Sequence, residues 1–360
     1  MVSVDQVLQT LSTVIDPDLK KDIVSMGMIK DLEINGNDIK FTLELTTPAC
    51  PFNDQIEQDV RKAISTISGV SKTDIKVTAK VMEGRALSMD EMLPTVKNII
   101  GVASGKGGVG KTTVSVNLAL ALARTGAKVG ILDADIYGPS VPLMLGMGKS
   151  AMEVENNKLQ PAESHGLKVV SFGFFADQDH QAAIYRGPII SGILKQFLVD
   201  TNWNDLDYLI VDLPPGTGDI PLTLAQTIPI TGIVVVTTPQ EVASNVAVKA
   251  FGMFQKLNVP IIGVIENMSY FKCDNCNTSH YIFGKEGAKR MSEKYNLPFL
   301  GGIPLNPGIM ESSDTGRPAI VTDPNSSHSQ AFMIVAKNVA ARCSVIAAQL
   351  GEEMKAEATT

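Results

Sequence analysis

Cysteine and basic charge are scarce in this sequence of 360 residues. Four cysteines are too few for a disulfide scaffold in a chain of this length, so they indicate a reducing compartment. The net charge of −7 argues against nucleic acid or an anionic membrane as the main partner. Hydrophobic residues make up 44% and charged residues 19%, so a sizeable core is possible and disorder is not expected.

Targeting and membrane-spanning patterns are also missing. Residues 1–5 have neither the charged-then-apolar order of a signal peptide nor an Arg-rich transit pattern. The most apolar stretch, residues 228–236, is far shorter than the roughly 20 residues that cross a bilayer. We therefore expect a cytoplasmic protein with no nucleic-acid and no membrane partner.

Residues 1–82 have the pattern of a small α+β domain. Its predicted elements are a helix, two strands of a hairpin, a second helix and a third strand, at residues 4–14, 29–34, 39–45, after 51, and 74–81. The sequence N-G-N-D at residues 35–38 is a strong signal for the hairpin turn. Residues 83–97 show no clear period and are expected to form a linker.

Residues 98–350 change to short apolar runs separated by helix-length segments. The runs lie at residues 99–103, 129–132, 168–171, 208–211, 232–236, 261–265 and 299–303. Continuous apolar strands that alternate with helices are typical of a parallel sheet covered on both faces. We therefore predict one α/β domain of mostly parallel strands, followed by a polar tail at residues 351–360.

The segment between the first of these strands and the next helix fits the phosphate-binding pattern G-x-x-x-x-G-K-[ST]. Glycines let the backbone N–H groups of such a P-loop turn inward around the β-phosphate, which the helix N-terminus also attracts. Lys111 is expected to reach the β- and γ-phosphate oxygens, and the Thr112 hydroxyl to coordinate Mg²⁺. The expected nucleotide-binding residues are Gly105, Gly107, Gly108, Val109, Gly110, Lys111, Thr112 and Thr113.

Acidic residues follow two other predicted strands. Asp133 and Asp135 come after residues 129–132, and Asp212 comes after residues 208–211. Because ligands of open α/β sheets bind at the carboxyl ends of the strands, we expect these carboxylates beside the P-loop. Asp212 fits a role in holding Mg²⁺, with Asp133 supporting the metal. Taken singly, each aspartate could instead cap a helix.

Cys273 and Cys276 form a C-x-x-C pair just beyond a predicted strand. Two thiolates at this spacing can bind one metal, but iron–sulfur clusters and structural zinc take four ligands. His280 is a possible third ligand, and a two-fold dimer would present the pair twice. The residues alone leave a shared cluster, a shared zinc ion and a reversible disulfide open.

Four segments together resemble the Mrp/ApbC family of iron–sulfur cluster carrier ATPases: G-K-G-G-V-G-K-T-T, D-A-D-I-Y-G-P-S, D-L-P-P-G-T-G-D and E-N-M-S-Y-F-x-C-x-x-C. The first segment also resembles the deviant Walker A motif of the MinD/ParA/nitrogenase-iron-protein class of P-loop ATPases. The resemblance implies a homodimer that binds ATP, Mg²⁺ and a 4Fe–4S cluster shared by two subunits. It also implies transfer of the cluster to apo iron–sulfur proteins, with slow, switch-type ATP hydrolysis as the control.

The same resemblance implies roles for single residues. Lys106 reaches across the dimer to the other subunit's nucleotide, Asp135 orients the attacking water, and Asn267 contacts adenine. Lys106, Lys111 and Asp135 are therefore the expected catalytic residues. Residues 214–218 resemble a switch loop that changes shape when the γ-phosphate leaves.

The small domain resembles one found in other iron–sulfur assembly factors, through residues 15–19 and 45–51. Cys50 lies at the predicted start of a helix, which would lower its thiol pKa and make it a reactive thiolate or a transient ligand. The alternative is a small buried residue. Cys343 is expected in the core, and Arg186 in a salt bridge or at an anion site.

Two other functions share the P-loop pattern. A positioning ATPase of the ParA/MinD kind needs a basic surface or an amphipathic anchor, and the acidic residues 352–357 favour neither. A reductase like the nitrogenase iron protein uses two well-separated single cysteines, a spacing that Cys273 and Cys276 lack. We therefore expect the carrier function.

Overall fold

The computed structural model describes residues 2–84, 93–148, 152–156, 158–174, 187–273 and 275–357. The chain divides into two compact units, of which one combines Met1–Glu83 with Ala340–Thr360 and the other is Gly84–Val339. The division at residue 83 lies next to the start of the expected linker.

The small unit contains α1 (Val4–Leu11), β1 (Ile29–Asn35), β2 (Asp38–Leu45), α2 (Asn53–Ser65) and β3 (Lys72–Ala79). The strands form one sheet in the order β1-β2-β3. β1 and β2 make the hairpin that the N-G-N-D turn predicts, with Gly36 at a φ of +66°. β2 and β3 are parallel, because α2 connects them. One hydrophobic core joins the helices to the sheet and includes Val7, Leu11, Phe41, Leu43, Ile56, Val60 and Ile64.

The large unit holds the other elements. Its strands are β4 (Val96–Ser104), β5 (Val129–Asp133), β6 (Val154–Glu155), β7 (Lys158–Leu159), β8 (Ala162–Ser164), β9 (Leu167–Ser171), β10 (Leu206–Asp212), β11 (Gly232–Thr237), β12 (Ile261–Glu266), β13 (Phe271–Lys272), β14 (Ser279–His280) and β15 (Phe299–Gly302). Its helices are α3 (Lys111–Arg124), α4 (Val141–Met144), α5 (Gly187–Val199), α6 (Asp219–Thr227), α7 (Glu241–Lys256), α8 (Gly287–Lys294), α9 (Pro307–Asp314), α10 (Ala319–Thr322) and the start of α11 (Ser327–Glu357).

Eight strands of the large unit form one sheet in the order β15-β12-β11-β4-β10-β5-β9-β8. Every neighbouring pair is parallel except β8 and β9 at the edge. The seven predicted strands are all in this sheet, so the mostly parallel α/β class is confirmed. β8 was not predicted, because its three residues Ala-Glu-Ser contain no apolar run.

The central strands β4, β10 and β11 are buried along nearly their whole length. This burial is the reason that their sequences are continuously apolar rather than alternating. α3 is also buried, from Val114 to Leu122, and packs on the sheet. The carboxyl ends of β4, β5, β10, β11 and β12 therefore meet at one edge, where ligands of such sheets bind.

The end of the chain differs from the expectation. α11 continues through residues 351–357, which we expected to be a polar tail, and its residues from 340 onward group with the small unit. Cys343 and Ile346 are buried there, and Glu352 forms an ion pair with Lys21, so this part of the helix is held in place. By length and composition the segment Ser327–Glu353 could cross a membrane, but 61% of its most apolar window is buried inside the protein, as is usual for a core helix.

Candidate functional site

The predicted P-loop connects β4 to α3. Gly108 and Gly110 have φ values of +80° and +79°, a backbone conformation that side chains rarely allow. A Cβ atom at Gly105 would lie 2.7 Å from the carbonyl carbon of Val246, because α7 packs closely on the loop. Gly110 is the N-cap of α3 and provides no side-chain capping bond, so the first backbone N–H groups of the helix are available to an anion.

Lys111 and Asp212 form a buried ion pair, with Lys111 Nζ 2.7 Å from Asp212 Oδ1. The Thr112 hydroxyl donates to Asp212 Oδ2 at 2.7 Å, and the Ser115 hydroxyl donates to Oδ1 at 2.6 Å. The structure thus brings together three residues predicted for phosphate and Mg²⁺ binding. Sequence reasoning missed Ser115, although a small polar residue four positions after Lys111 lies on the same face of an apolar helix.

Asp133 lies beside Asp212, because the two residues are register partners on the neighbouring strands β5 and β10. Asp133 Oδ2 accepts hydrogen bonds from the Ser171 hydroxyl at 3.0 Å and from the Val141 N–H at 3.2 Å. Burial, and then the nearby Asp212 charge, raise the pKa of Asp133 to about 7. Burial also raises the pKa of the half-buried Asp135. Two adjacent carboxylates next to the Thr112 hydroxyl are hard oxygen donors, so the residues present fit Mg²⁺.

Lys106 lies on the exposed side of the P-loop. Its backbone carbonyl accepts a hydrogen bond from the Ser104 hydroxyl at 3.1 Å, which fixes the loop at this point. The Gly216 N–H donates to the Ser104 carbonyl at 2.9 Å and brings the expected switch loop, residues 214–218, next to the P-loop. The Lys106 side chain is therefore accessible to groups outside this chain.

A cleft of about 360 Å³ opens beside the P-loop. Asn267 lines the cleft, and its Nδ2 donates to the Val109 carbonyl at 2.8 Å, so the side chain supports the loop directly. Apolar side chains also line the cleft, and none of them was predicted as a site residue: Leu143, Met144, Met268, Pro304, Leu305, Ile309 and Met310. An apolar cleft with an amide at its edge suits a nucleotide base.

Cys273 and Cys276 lie on the turn between β13 and β14. The Cys273 N–H donates to the Thr278 carbonyl at 3.0 Å, and the Asn277 N–H donates to the Cys273 carbonyl at 2.8 Å. Cys276 is exposed and Cys273 is partly exposed. Hydrogen bonds with Thr278, followed by one with Cys273, lower the pKa of Cys276. A lowered pKa favours the thiolate, which is the form that binds metals.

His280 does not complete a metal site with these cysteines. It pairs with Phe271 across the hairpin, and the two ring centroids are 6.5 Å apart. Within the described part of the chain, no group of three or more His, Cys, Asp or Glu side chains is placed to hold a metal ion. The described residues thus supply two cysteine thiols to such a site, whereas iron–sulfur clusters and structural zinc take four ligands.

The reactive alternative for Cys50 is wrong. α2 begins at Asn53, so Cys50 precedes the helix instead of lying at its start. The thiol is buried and donates to Asp18 Oδ2 at 3.3 Å. Burial is the main cause that raises the pKa of Cys50 to about 12, so the thiolate is disfavoured. Cys343 is buried in α11 as predicted, and Arg186 lies outside the described residues.

Comparisons with known proteins cover both units. A family model described as NUBPL iron-transfer P-loop NTPase matches residues 95–340, and one described as iron–sulfur cluster assembly protein matches residues 4–77. An iron–sulfur cluster carrier protein of Synechocystis sp. is 47% identical over 352 residues, which cover 96% of this chain and 99% of that relative.

Two solved structures resemble the large unit. A nucleotide-binding protein from Archaeoglobus fulgidus, in complex with ADP, is 39% identical with a TM-score of 0.60, covering 68% of this chain and 95% of its own. The cell division ATPase MinD of Pyrococcus furiosus is 23% identical with a TM-score of 0.53, covering 67% of this chain and 98% of its own. The second likeness concerns the fold, and both agree with the sheet described above.

Proposed function

This chain belongs to the family of NUBPL iron-transfer P-loop NTPases, and on that premise we propose that it is an ATP-dependent iron–sulfur cluster carrier. The family resemblance read from the four sequence motifs is thereby confirmed. The observation that carries the proposal is the exposed hairpin with Cys273 and Cys276, which follows directly from a strand of the ATPase sheet. The cluster is cargo, and apo iron–sulfur proteins are its recipients.

The cluster is held between two copies of the chain. Each copy presents Cys273 and Cys276 on a tight turn, and a two-fold axis through the pair supplies four thiolates. Four thiolates suit a 4Fe–4S cluster. The lowered pKa of Cys276 and its exposure support binding and release of a metal cluster at the surface. The cytoplasm is a suitable location, because its reducing conditions keep such thiols free.

ATP binds along the P-loop and the adjoining cleft. The P-loop backbone at residues 105–110 and Lys111 bind the phosphates, Thr112 and Thr113 follow at the start of α3, and Asn267 contacts the base. Thr112 and Asp212 would hold Mg²⁺ with Asp133 behind them, and the cation would neutralise charge on the phosphates.

Hydrolysis acts as a switch. Asp135 lies half-buried at the end of β5, where a carboxylate can orient a water molecule. Lys106 of each subunit stabilises the charge that develops on the other subunit's nucleotide. A reaction that needs groups from both subunits proceeds only in the dimer. We therefore expect slow turnover whose rate depends on dimer formation.

Anaerobic reconstitution with iron and sulfide tests the carrier function. We expect a broad visible absorption band and about four irons per dimer, both lost in the Cys273→Ala/Cys276→Ala variant. The matched control is Cys50→Ala/Cys343→Ala, which removes two buried cysteines and should keep the band. A colourless protein that binds zinc tightly, or a band that survives in the Cys273→Ala/Cys276→Ala variant, would contradict the proposal.

A further inference from the structure

One buried carboxylate holds both ends of the segment that carries the cysteine pair. Glu266 is the last residue of β12 and is 1% exposed. Its Oε1 accepts a hydrogen bond from the Ser269 hydroxyl at 2.5 Å, at the start of the segment. Its Oε2 accepts from the Ala288 N–H at 2.7 Å, at the end. The segment that contains the hairpin, residues 270–287, therefore lies between two hydrogen bonds to the same Glu266 side chain.

The second of these hydrogen bonds replaces a missing helix cap. α8 begins after Glu286, which has a left-handed backbone and makes no side-chain capping bond. The first N–H groups of a helix need partners, and a negative charge at this end is favourable. Glu266, which lies on β12, supplies both the hydrogen-bond acceptor and the negative charge. The cap therefore ties α8 to β12, which a local capping residue would not do.

The residue next to Glu266 contacts the nucleotide site. Asn267 donates to the P-loop carbonyl of Val109 and lines the cleft. Three residues further on, the Tyr270 carbonyl accepts a hydrogen bond from the Leu305 N–H at 2.7 Å, and Leu305 lines the same cleft. The short stretch from Glu266 to Tyr270 thus contacts the P-loop, the cleft wall and α8 before it enters the cysteine hairpin.

We propose that Glu266 is a positioning residue that transmits nucleotide binding to the cysteine hairpin. A nucleotide in the cleft shifts Asn267 and Leu305, and the bonds of Glu266 to Ser269 and Ala288 carry that shift to both ends of the loop. Without the carboxylate, the hairpin keeps its turn and the bond between Tyr270 and Leu305, but Ser269 and Ala288 are no longer held by one side chain. The inference rests on the proposed role of Cys273 and Cys276 as cluster ligands.

Thiol alkylation in cluster-free protein tests the link. The rate of iodoacetamide labelling at Cys273 and Cys276 is measured by peptide mass spectrometry, with and without saturating Mg²⁺-ATP. We expect ATP to change the rate by about fivefold or more in the unmutated chain, which is typical of coupled sites. In Glu266→Ala the response to ATP should fall by about twofold or more, with ATP affinity within about twofold of the unmutated value.

Two further variants separate coupling from a general loss of structure. Glu266→Gln should keep most of the response, because its amide can still accept from Ala288 and donate to the Ser269 oxygen. Ser292→Ala removes a buried hydroxyl that donates to the Lys289 carbonyl within α8, so it should respond like the unmutated chain. If Glu266→Ala does not fold, Ser269→Ala replaces it in the test. This variant loses the bond at the start of the loop, so its response to ATP should be reduced.

Two outcomes would overturn the inference. One is an unmutated chain whose labelling rate ignores ATP, and the other is an undiminished response in Glu266→Ala or, where that variant does not fold, in Ser269→Ala. The experiment uses no cluster, so a failure of cluster loading would leave its result standing. Conversely, if the cluster loads normally but the labelling rate does not change with ATP, only the coupling role of Glu266 is contradicted.

Discussion

Lys111 Nζ lies 2.7 Å from Asp212 Oδ1, and neither side chain is more than 6% exposed. The ammonium that is expected to bind phosphate therefore also balances the carboxylate that is expected to hold Mg²⁺. Asp133 is the register partner of Asp212 on the next strand and adds a second buried carboxyl group. Phosphate binding, cation binding and the stability of this sheet edge are thus linked through one lysine.

Replacing Lys111 by alanine should abolish nucleotide binding and also destabilise the fold. Removal of one partner leaves Asp212 buried without its counter-charge, which typically costs about 3 kcal/mol. We expect ATP affinity to fall by about a hundredfold or more, because a buried charged contact is lost. Equilibrium binding of a fluorescent ATP analogue and denaturant unfolding measure the two effects. An affinity close to that of the unmutated chain would overturn the P-loop assignment.

Lys106→Ala is the matched change on the exposed side of the same loop. Its ammonium makes no ion pair within the described residues, so we expect no measurable loss of stability. ATP affinity should stay within about threefold, whereas turnover should fall by about a hundredfold, because a charge aimed at the transition state is removed. Phosphate release measures the turnover. A near-normal rate would count against catalysis across the dimer.

Ser115 should set the affinity for Mg²⁺, although it is not predicted to touch the cation. Its hydroxyl orients Asp212 Oδ1, and loss of such outer contacts typically weakens metal binding by about tenfold. Ser115→Ala should therefore need more Mg²⁺ for half-maximal ATP binding, with the binding at saturating Mg²⁺ little changed. Asn117→Ala is the control, since Asn117 Nδ2 bonds only to the Thr113 carbonyl of its own helix. An equal shift in both variants would indicate a loosened α3 instead.

The sequence was sufficient for the parts of the site that depend on the local chain. Glycines with left-handed backbones, a lysine at the start of a helix and aspartates at strand ends have local causes, so Gly110, Lys111 and Asp212 could be placed beforehand. The wall of the cleft could not be predicted from the sequence, because Leu143 and Met310 come from distant helices that only the tertiary fold brings together. The environment of Cys50 also depends on the fold, since the burial of its thiol and then the nearby Asp18 raise its pKa.

Asp133 should make the stability of the metal-free protein depend on pH. The folded-state pKa of Asp133 is raised from 3.8 to about 7, so between these values the folded chain holds a proton that the unfolded chain releases. Its contribution is therefore most favourable below about pH 4 and is lost as the pH rises through about 7.

Asp133→Asn isolates this contribution, because asparagine does not ionise. With EDTA present and nucleotide absent, the unfolding free energy of the unmutated chain relative to the variant should fall by about 1–2 kcal/mol between pH 5.5 and 7.5. Denaturant unfolding at several pH values measures the difference. Mg²⁺-ATP favours the charged carboxylate, so it should move the fall to lower pH. Parallel stability curves for the two proteins would mean that Asp133 of the folded chain does not titrate between pH 5.5 and 7.5.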